Sequence, residues 1–335
     1  MEQKSVLIGM SGGVDSSVAA ALLKEQGYHV IGATMRLWTY SDSCNMKHEG
    51  CCAESAVEDA RRVCDKLGID FYVMNFKDMF KDKVVDYFVD EYIHGRTPNP
   101  CIACNKYLKF DALLKKALAM GIDYVATGHY AKIEKGEDGK YILRASEAVK
   151  KDQSYVLYNF TQEQLAHTLM PLGGYNKDWV RQKAEELGLG VAHKPDSQEI
   201  CFVEDDDYAK FITDYSGYKP KEGDILDVNG NVIGKHRGLI YYTIGQRKGI
   251  GAYGRPMFVM KIDAENNTIT LGEKGMEFSN ELTAYDVNFV SGEFPKENML
   301  ITAKVRYQAP PAAAMLCPQK DGTVKLMFPE PQRAV

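Results

Sequence analysis

Apolar residues follow two different spacings along the chain, and the change between them falls near residue 205. In the first part, short apolar runs predict buried strands at 6–10, 29–35, 71–74 and 124–127. Between these runs, apolar residues at helical spacing predict helices at 18–25, 53–68, 78–92 and 110–120. Strands that alternate with helices predict an α/β fold with a doubly wound parallel sheet, covered on both faces.

After about residue 205 the chain becomes rich in glycine, and short strands alternate with turns. The run Val228-Asn229-Gly230-Asn231-Val232 predicts a β-hairpin. Further strands are predicted at 284–290, 300–307 and 323–328, as parts of a small β-barrel whose last strand or strands lie beyond Val335. The predicted domains are 1–205, a small central domain at 206–278, and a truncated C-terminal β-barrel at 279–335.

Composition places the chain among ordinary globular proteins. Its 335 residues are 45% apolar and 26% charged, which excludes a disordered tail, a collagen-like repeat and a disulfide miniprotein. No apolar run approaches the roughly 18 residues of a membrane span, and the N-terminus is not typical of a signal peptide. We therefore expect a cytoplasmic protein with no membrane partner.

Charge and cysteine content narrow the possible functions. The net charge of −5 argues against indiscriminate binding to nucleic acid, although it allows a local basic face. In a reducing compartment, the eight cysteines are expected to be buried thiols, metal ligands or catalysts rather than structural disulfides.

The strongest local signal is the string Gly9-Met10-Ser11-Gly12-Gly13-Val14-Asp15-Ser16-Ser17, between a predicted strand and a predicted helix. Glycines let backbone N–H groups approach a phosphate, and a helix N-terminus adds a positive dipole. The string lacks the Gly-Lys-Ser/Thr ending of a Walker A loop, which disfavours γ-phosphate transfer of that kind. A glycine turn that merely caps a helix is the alternative. The string resembles the PP-loop of the N-type ATP pyrophosphatases, the adenine nucleotide α-hydrolase-like superfamily, which splits ATP between the α and β phosphates.

Two cysteine-containing strings follow. In Gly95–Lys106, Thr-Pro and Asn-Pro steps predict a non-helical loop that holds Cys101 and Cys104 and leads into a helix. The start of that helix, together with Arg96 and Lys106, would favour a thiolate. The second string, Asp196–Phe202, contains Cys201 and is also expected to begin in a loop.

Taken together, these strings closely resemble the tRNA-specific 2-thiouridylase family, over essentially the whole chain. The resemblance extends to the strings at 35–38, 127–130, 151–155, 242–249 and 305–307. It implies an ATP- and Mg²⁺-dependent enzyme, a tRNA-uridine 2-sulfurtransferase. Such an enzyme replaces the 2-oxygen of the wobble uridine by sulfur after adenylation of that oxygen, and releases AMP and pyrophosphate. It also implies an upstream sulfur donor, either a cysteine desulfurase or a sulfur-relay protein.

The resemblance assigns roles residue by residue. It implies that Cys104 is the catalytic nucleophile, that Cys201 carries a persulfide, and that the two end as a disulfide after one turnover. Asp15 would act with them in catalysis. ATP would be bound by Gly9, Met10, Ser11, Gly12, Gly13, Val14, Asp15, Ser16, Met35 and Gly128. The tRNA would be contacted by Asn99, Pro100, Cys101, His129, Lys151, Asp152, Gln153, Arg306 and Tyr307, the first three of which would lie against the target base. For His129 alone, a structural histidine is the better interpretation.

Cys101 departs from the family, many members of which carry an acidic residue there. Together with Cys104 and Cys201 it offers three thiolates, enough to hold a [4Fe–4S] cluster with one open iron. A zinc site is the competing metal interpretation, although only three ligands are evident. Persulfide relay and cluster-bound sulfide both remain open. Cys64 is predicted to be core and Cys317 to be buried or incidental. Cys44, Cys51 and Cys52 lie in a polar loop and are predicted to be incidental thiols, with a metal site as the alternative.

The segment from Gly234 to Ile262 contains no acidic residue and is interleaved with aromatic residues. It carries Lys235, Arg237, Arg247, Lys248, Arg255 and Lys261. Basic and stacking residues together suit a folded RNA, whereas the plain alternative is a solvated basic face. Contact with about four phosphates would give a log–log salt slope of roughly −3 to −4.

Two other functions stay open on the sequence alone. One is a different adenylating enzyme, such as an amide-forming synthetase, which the paired loop cysteines and the basic segment disfavour. The other is an RNA-binding or iron–sulfur storage protein with a vestigial loop.

Overall fold

A computed structural model describes residues 3–38, 54–196, 200–203 and 206–333. The chain folds into two compact units. The first contains residues 1–85, 100–206 and 288–292, and the second contains 86–99, 207–287 and 293–335. No helix in the described ranges is long and apolar enough to cross a membrane.

The first unit is built on a parallel sheet, as predicted, and this sheet has five strands rather than the four predicted. Its strands are β1 (Ser5–Gly9), β2 (His29–Arg36), β3 (Asp70–Asn75), β4 (Tyr124–Ala126) and β7 (Thr168–Leu169), in the order β3-β2-β1-β4-β7. A hairpin of β5 (Ala131–Lys135) and β6 (Tyr141–Ala145) lies between β4 and β7 in sequence. β7, β5 and β6 were not predicted, because they are short and carry no long apolar run.

Helices bury both faces of the sheet. The helices of the first unit are α1 (Val14–Glu25), α2 (Glu54–Leu67), α3 (Lys77–Phe80), α5 (Pro100–Ala103), α6 (Leu113–Ala119), α7 (Gln162–Ala166) and α8 (Lys177–Glu186), whereas α4 (Tyr87–Ile93) belongs to the second unit. The consecutive β1 residues Val6, Leu7 and Ile8 are all fully buried, although alternate strand residues point to opposite faces. Val6 and Ile8 belong to a core shared with α1, α2 and α8. The doubly covered sheet therefore follows directly from the continuous apolar run.

Two of the predicted helices are built from several segments. The helix predicted at 78–92 consists of α3, a wider π-helical segment at Lys81–Asp86, and α4. The helix predicted at 110–120 begins ten residues earlier, with α5, and continues through a π-helical segment at Cys104–Ala112 into α6. The prediction of a loop around Cys101 and Cys104 is therefore wrong. Pro100 lacks an N–H and has a preset φ, so it suits the first helical position rather than breaking a helix.

The second unit contains α9 (Tyr208–Ser216) and two four-stranded sheets. The first sheet, ordered β10-β11-β8-β9, comprises β8 (Gly223–Leu226), β9 (Val232–His236), β10 (Met257–Asp263) and β11 (Thr268–Glu273). β8 and β9 form the predicted hairpin, in which Gly230 has a positive φ of 85°. Val259, Ile269 and Leu271 are fully buried in its core.

The second sheet is antiparallel, in the order β12-β15-β14-β13. Its strands are β12 (Phe278–Ala284), β13 (Met299–Ala303), β14 (Ala312–Pro318) and β15 (Val324–Arg333). The strand predicted at 284–290 is wrong, because β12 ends at Ala284 and Asp286 adopts a positive φ of 51°. β14 was missed because its run of alanines between prolines has low β-propensity.

Candidate functional site

A cavity of about 210 Å³ opens in the first unit, where the loop after β1 meets the loop after β4. β1 lies between β2 and β4 in the sheet order. The chain therefore builds the sheet outward on one side of β1, through β2 and β3, and then returns to build it on the other side, through β4 and β7. Open parallel sheets bind ligands at such a switch point, beyond the carboxyl ends of the strands. Seven residues expected to bind ATP line this cavity: Gly9, Met10, Ser11, Asp15, Ser16, Met35 and Gly128. Gly12, Gly13 and Val14 complete the loop but are not part of the lining.

The glycine-rich loop owes its shape to one close approach and a set of hydroxyl contacts. Gly12 has a φ of 69°, and a Cβ on it would lie 2.2 Å from the carbonyl oxygen of Ala56. Only glycine fits there. The Oγ atoms of Ser11 and Ser16 lie 3.2 Å apart, and the Ser16 hydroxyl donates to the carbonyl of Gly13 at 3.2 Å. The loop therefore turns tightly into the N-terminus of α1, where backbone N–H groups suit a phosphate.

Asp15 is held by two donors that the sequence did not reveal. Its Oδ1 accepts a hydrogen bond from the Tyr130 hydroxyl at 2.7 Å, and the Lys177 ammonium lies 2.7 Å from Oδ1 and 2.8 Å from Oδ2. Burial, reinforced by the charge of Asp15, raises the pKa of Tyr130 far above its ordinary value. Tyr130 therefore remains a protonated donor at any physiological pH, and Asp15 is fixed at the cavity wall.

His129 lines the same cavity as a buried, neutral side chain. Its Nδ1 lies 2.7 Å from the Thr127 hydroxyl, and its ring packs against Phe110 at 5.8 Å. Burial, with a smaller effect from the charge of Lys109, lowers the pKa of His129 well below its ordinary value. This placement agrees with a structural histidine, and a contact of His129 with tRNA stays a prediction.

The three candidate cysteines differ in exposure. Cys101, in the first turn of the helix that begins at Pro100, is exposed, whereas Cys104 is buried at 8% exposure. Cys201 is exposed and is followed by Phe202, which is buried and contacts the rings of Phe80 and Trp38. The described cysteines form no disulfide. The helix start thus presents one thiol to solvent and directs the other inward.

The same cysteines do not form a metal centre as they stand. Within the described ranges, no three His, Cys, Asp or Glu side chains are placed so that they could hold a metal ion, and these ranges include Cys101, Cys104 and Cys201. The arrangement does not fit a three-thiolate cluster or a zinc site. Cys64 is a buried core thiol as predicted, and Cys317 is half-buried. Cys44, Cys51 and Cys52 lie outside the described residues.

Most residues expected to contact tRNA already have partners within the protein. Lys151 pairs with Asp196 at 2.7 Å, and Asp152 accepts hydrogen bonds from Ser146 and Ser154. The Oε1 of Gln153 accepts from the backbone N–H of Tyr130, and Gln153 also lines the cavity. In the second unit, Arg306 donates to the carbonyl of Ile244 at 2.9 Å. Pro100 is buried and Asn99 is half-buried, and Tyr307 is exposed, with the Lys304 ammonium 5.6 Å from its ring centroid.

The basic segment of the second unit is less basic than its sequence suggests, because half of its cations are paired with carboxylates. The pairs are Lys235–Asp224, Arg255–Glu273 and Lys261–Asp263, at 2.5, 2.7 and 3.0 Å. Arg237 lies over the ring of Tyr241 at 4.0 Å. Arg247 and Lys248 are exposed, and neither forms an ion pair with any described residue. The uncompensated positive charge is therefore concentrated at Arg237, Arg247 and Lys248.

A glycine-rich loop at the switch point of an open parallel sheet is typical of nucleotide-binding α/β proteins. Family models match almost the whole chain: the tRNA methyl transferase HUP domain over residues 4–205, the tRNA methyl transferase PRC-barrel domain over 209–273, and the aminomethyltransferase β-barrel domain over 279–335.

Curated relatives make the assignment more specific. The chain is 58% identical to the tRNA-specific 2-thiouridylase MnmA of Acetivibrio thermocellus, covering 100% of this chain and 94% of the relative. It is also 58% identical to the protein of that name from Clostridioides difficile, covering 99% and 92%. A 4-thiouridine synthetase solved with RNA and ATP is 17% identical over 57% of this chain and 43% of that one, with a TM-score of 0.38. The chain belongs to the tRNA-specific 2-thiouridylase family.

Proposed function

We propose that this protein replaces the 2-oxygen of the wobble uridine of tRNA by sulfur, at the expense of ATP. The observation that carries the proposal is the cavity lined by the glycine-rich loop, in the same unit that contains Cys104 and Cys201. The activity named for the relatives supports the same reaction.

The first step activates the uracil ring. The C2 oxygen attacks the α-phosphorus of ATP, the bond to the β-phosphate breaks, and pyrophosphate leaves with the electron pair. The loop at 9–16 and the N-terminus of α1 would bind the departing phosphates. Asp15 is the one carboxylate among the described residues that line the cavity, and Mg²⁺ is usually bound by one or two carboxylates together with substrate phosphates, so the residues present fit this ion. When bound, Mg²⁺ would neutralise phosphate charge.

The second step transfers sulfur. The terminal sulfur of a Cys201 persulfide attacks C2, and AMP leaves with the former uracil oxygen. The Cys104 thiolate then attacks the Cys201 sulfur. The sulfur–sulfur bond breaks, sulfur remains on C2, and the two cysteines end as a disulfide that a thiol reductant must restore. Persulfide on Cys201 would come from a cysteine desulfurase or a sulfur-relay protein.

The persulfide route is favoured over cluster-bound sulfide, because Cys101, Cys104 and Cys201 are not grouped as metal ligands. Iron and acid-labile sulfide, measured on protein purified without oxygen, test this choice. We expect neither after attempted reconstitution. About four iron atoms and four sulfides per chain, both lost in Cys101→Ser, would instead show that an iron–sulfur cluster delivers the sulfur.

The test of the function is formation of 2-thiouridine in unmodified tRNA, read by nucleoside mass spectrometry. The reaction contains ATP, Mg²⁺, cysteine and a cysteine desulfurase, and AMP and pyrophosphate are measured in parallel. We expect one AMP per thiolated uridine, and loss of product in Cys104→Ser and in Cys201→Ser. Cys317→Ser is the control, because Cys317 lies in the second unit and is expected to have no role.

Other outcomes would overturn the proposal. Incorporation of nitrogen from glutamine would indicate an amide-forming synthetase, and methylation of tRNA by a methyl donor without ATP cleavage would indicate a methyltransferase. Tight tRNA binding with no chemistry would indicate a binding protein.

A further inference from the structure

Lys109 places a positive charge in the wall of the candidate nucleotide cavity. It is the one lysine or arginine among the described residues that line this cavity. Its side chain is half-buried, and it forms no ion pair with any described residue. A half-buried charge without a partner is costly, so the position favours a ligand that carries negative charge.

The rest of the described cavity wall does not supply that negative charge. Asp15 is the other charged side chain in the lining, and the Lys177 ammonium already compensates it at 2.7 and 2.8 Å. His129 is neutral, because burial, and to a smaller extent the charge of Lys109, lowers its pKa. The cavity therefore presents one uncompensated positive charge to a molecule bound in it.

The helix that carries Lys109 also carries Cys104. Lys109 lies in the π-helical segment Cys104–Ala112, five residues after Cys104. In π-helical winding the backbone hydrogen bonds join residues five apart, as the bond from the Leu113 N–H to the Leu108 carbonyl shows. Residues five apart therefore lie near the same side of this segment, whereas in an α-helix residues three and four apart do. Lys109 thus follows Cys104 by about one turn, on a similar side of the helix.

We propose that Lys109 is a catalytic residue that binds the α-phosphate of ATP. The inference rests on the proposed function, in which the loop at 9–16 takes the departing pyrophosphate and Cys104 takes part in sulfur transfer at the uracil ring. The α-phosphorus must lie between these two groups, and Lys109 is the cation that enters the cavity from the helix of Cys104. Its ammonium neutralises the α-phosphate oxygens, whose charge would otherwise repel the attacking uracil oxygen. The same contact remains until AMP leaves in the second step.

The test compares the affinities of three ligands: adenosine, AMP, and, with Mg²⁺, an ATP analogue that cannot be cleaved between the α and β phosphates. Isothermal titration measures the analogue, and displacement of the analogue measures the two weaker ligands. In Lys109→Met, AMP and the analogue should each bind about tenfold or more weakly, because a charge-assisted hydrogen bond is lost. Adenosine carries no phosphate and should bind within about twofold of the wild-type value.

Two further variants and a rate measurement sharpen the test. Lys109→Arg keeps the cation and should retain part of the affinity. Lys115→Met is the matched control, because Lys115 lies further along the same helix, is 74% exposed and pairs with Asp111 at 2.7 Å. All three ligands should bind it as they bind the wild type. With unmodified tRNA and saturating ATP, Lys109→Met should form AMP about 100-fold more slowly, since stabilisation of the reacting phosphate is lost. Chemical denaturation of each variant shows that it is folded.

Unchanged affinity for AMP in Lys109→Met would overturn the inference, even if the analogue bound more weakly, because the contact would then be to the β- or γ-phosphate. An equal loss of affinity for adenosine would also overturn it, since that result would show a purely structural role. The binding assay contains no tRNA and no sulfur donor. A protein that binds AMP through Lys109 but forms no 2-thiouridine would therefore contradict the proposed function and leave the α-phosphate contact standing.

Discussion

Replacing Gly128 by alanine should distort the candidate nucleotide site without changing any charge. Gly128 follows β4 and lies directly against the start of α1. A Cβ on it would lie 2.7 Å from the backbone nitrogen of Ser16 and 2.8 Å from the backbone carbonyl carbon of Asp15. Both are backbone atoms in the first turn of α1, so neither can rotate away as a side chain would. The strand end and the helix start must therefore move apart.

The size of the effect follows from these distances. Ordinary contact begins at 3.4 Å, so the two elements must separate by about 0.7 Å. Overpacking of this kind costs typically about 1–3 kcal/mol of unfolding free energy. A misplacement of about 1 Å can cost about 100-fold in a reaction. For the smaller shift here, we expect about tenfold weaker nucleotide binding, or about 1.4 kcal/mol.

Isothermal titration with a non-cleavable ATP analogue measures the binding, and chemical denaturation measures the stability. Gly190→Ala is the control, because a Cβ there meets nothing within 4 Å and its φ is not positive. That variant should bind normally and be equally stable, or more stable by about 0.4–1 kcal/mol. Wild-type affinity in Gly128→Ala would refute the claim that this close approach shapes the site.

Three further outcomes are expected. Asp15→Ala should abolish thiolation, while its affinity for tRNA, measured by filter retention, stays within about twofold of the wild-type value. Full thiolation activity in this variant would show that the loop is not needed for the reaction. Arg247→Ala combined with Lys248→Ala should reduce the magnitude of the log–log salt slope of tRNA binding by about 1.4–1.8. Lys235→Ala is the control and should leave the slope unchanged, because Asp224 already compensates the charge of Lys235. Equal effects of the two changes would contradict the charge distribution described above. Burial, with a smaller contribution from Asp65, raises the pKa of Cys64 to about 12, so this thiol should resist iodoacetamide at pH 8 until the protein unfolds, and rapid native alkylation would show an accessible site.

Four strands of the parallel sheet, β1 to β4, and the helices that lie between them in the sequence could be predicted from the chain alone. Each central strand is a continuous apolar run, because both of its faces are buried, and Val6, Leu7 and Ile8 show this directly. The glycine-rich loop was equally visible, since its conformation needs glycine at a fixed place such as Gly12, where no Cβ fits. Such constraints act on neighbouring residues, so sequence spacing records them.

Other predictions failed where the local signal was ambiguous. The proline steps around Pro100 predict a loop, yet a proline suits the first position of a helix as well as a turn. The alanines of β14 have low β-propensity, and it is pairing with β13 and β15 that makes them a strand.

What only the tertiary structure decided is which distant charges meet. Asp15 and Lys177 are 162 residues apart, and nothing in their local sequences marks them as partners. The pairing of Lys235 with Asp224 likewise removes positive charge that the sequence counts as available. Local sequence determines backbone conformation and burial, because these depend on nearby residues. The electrostatics of a site depend on distances of a few ångströms between side chains, and those distances exist only once the chain has folded.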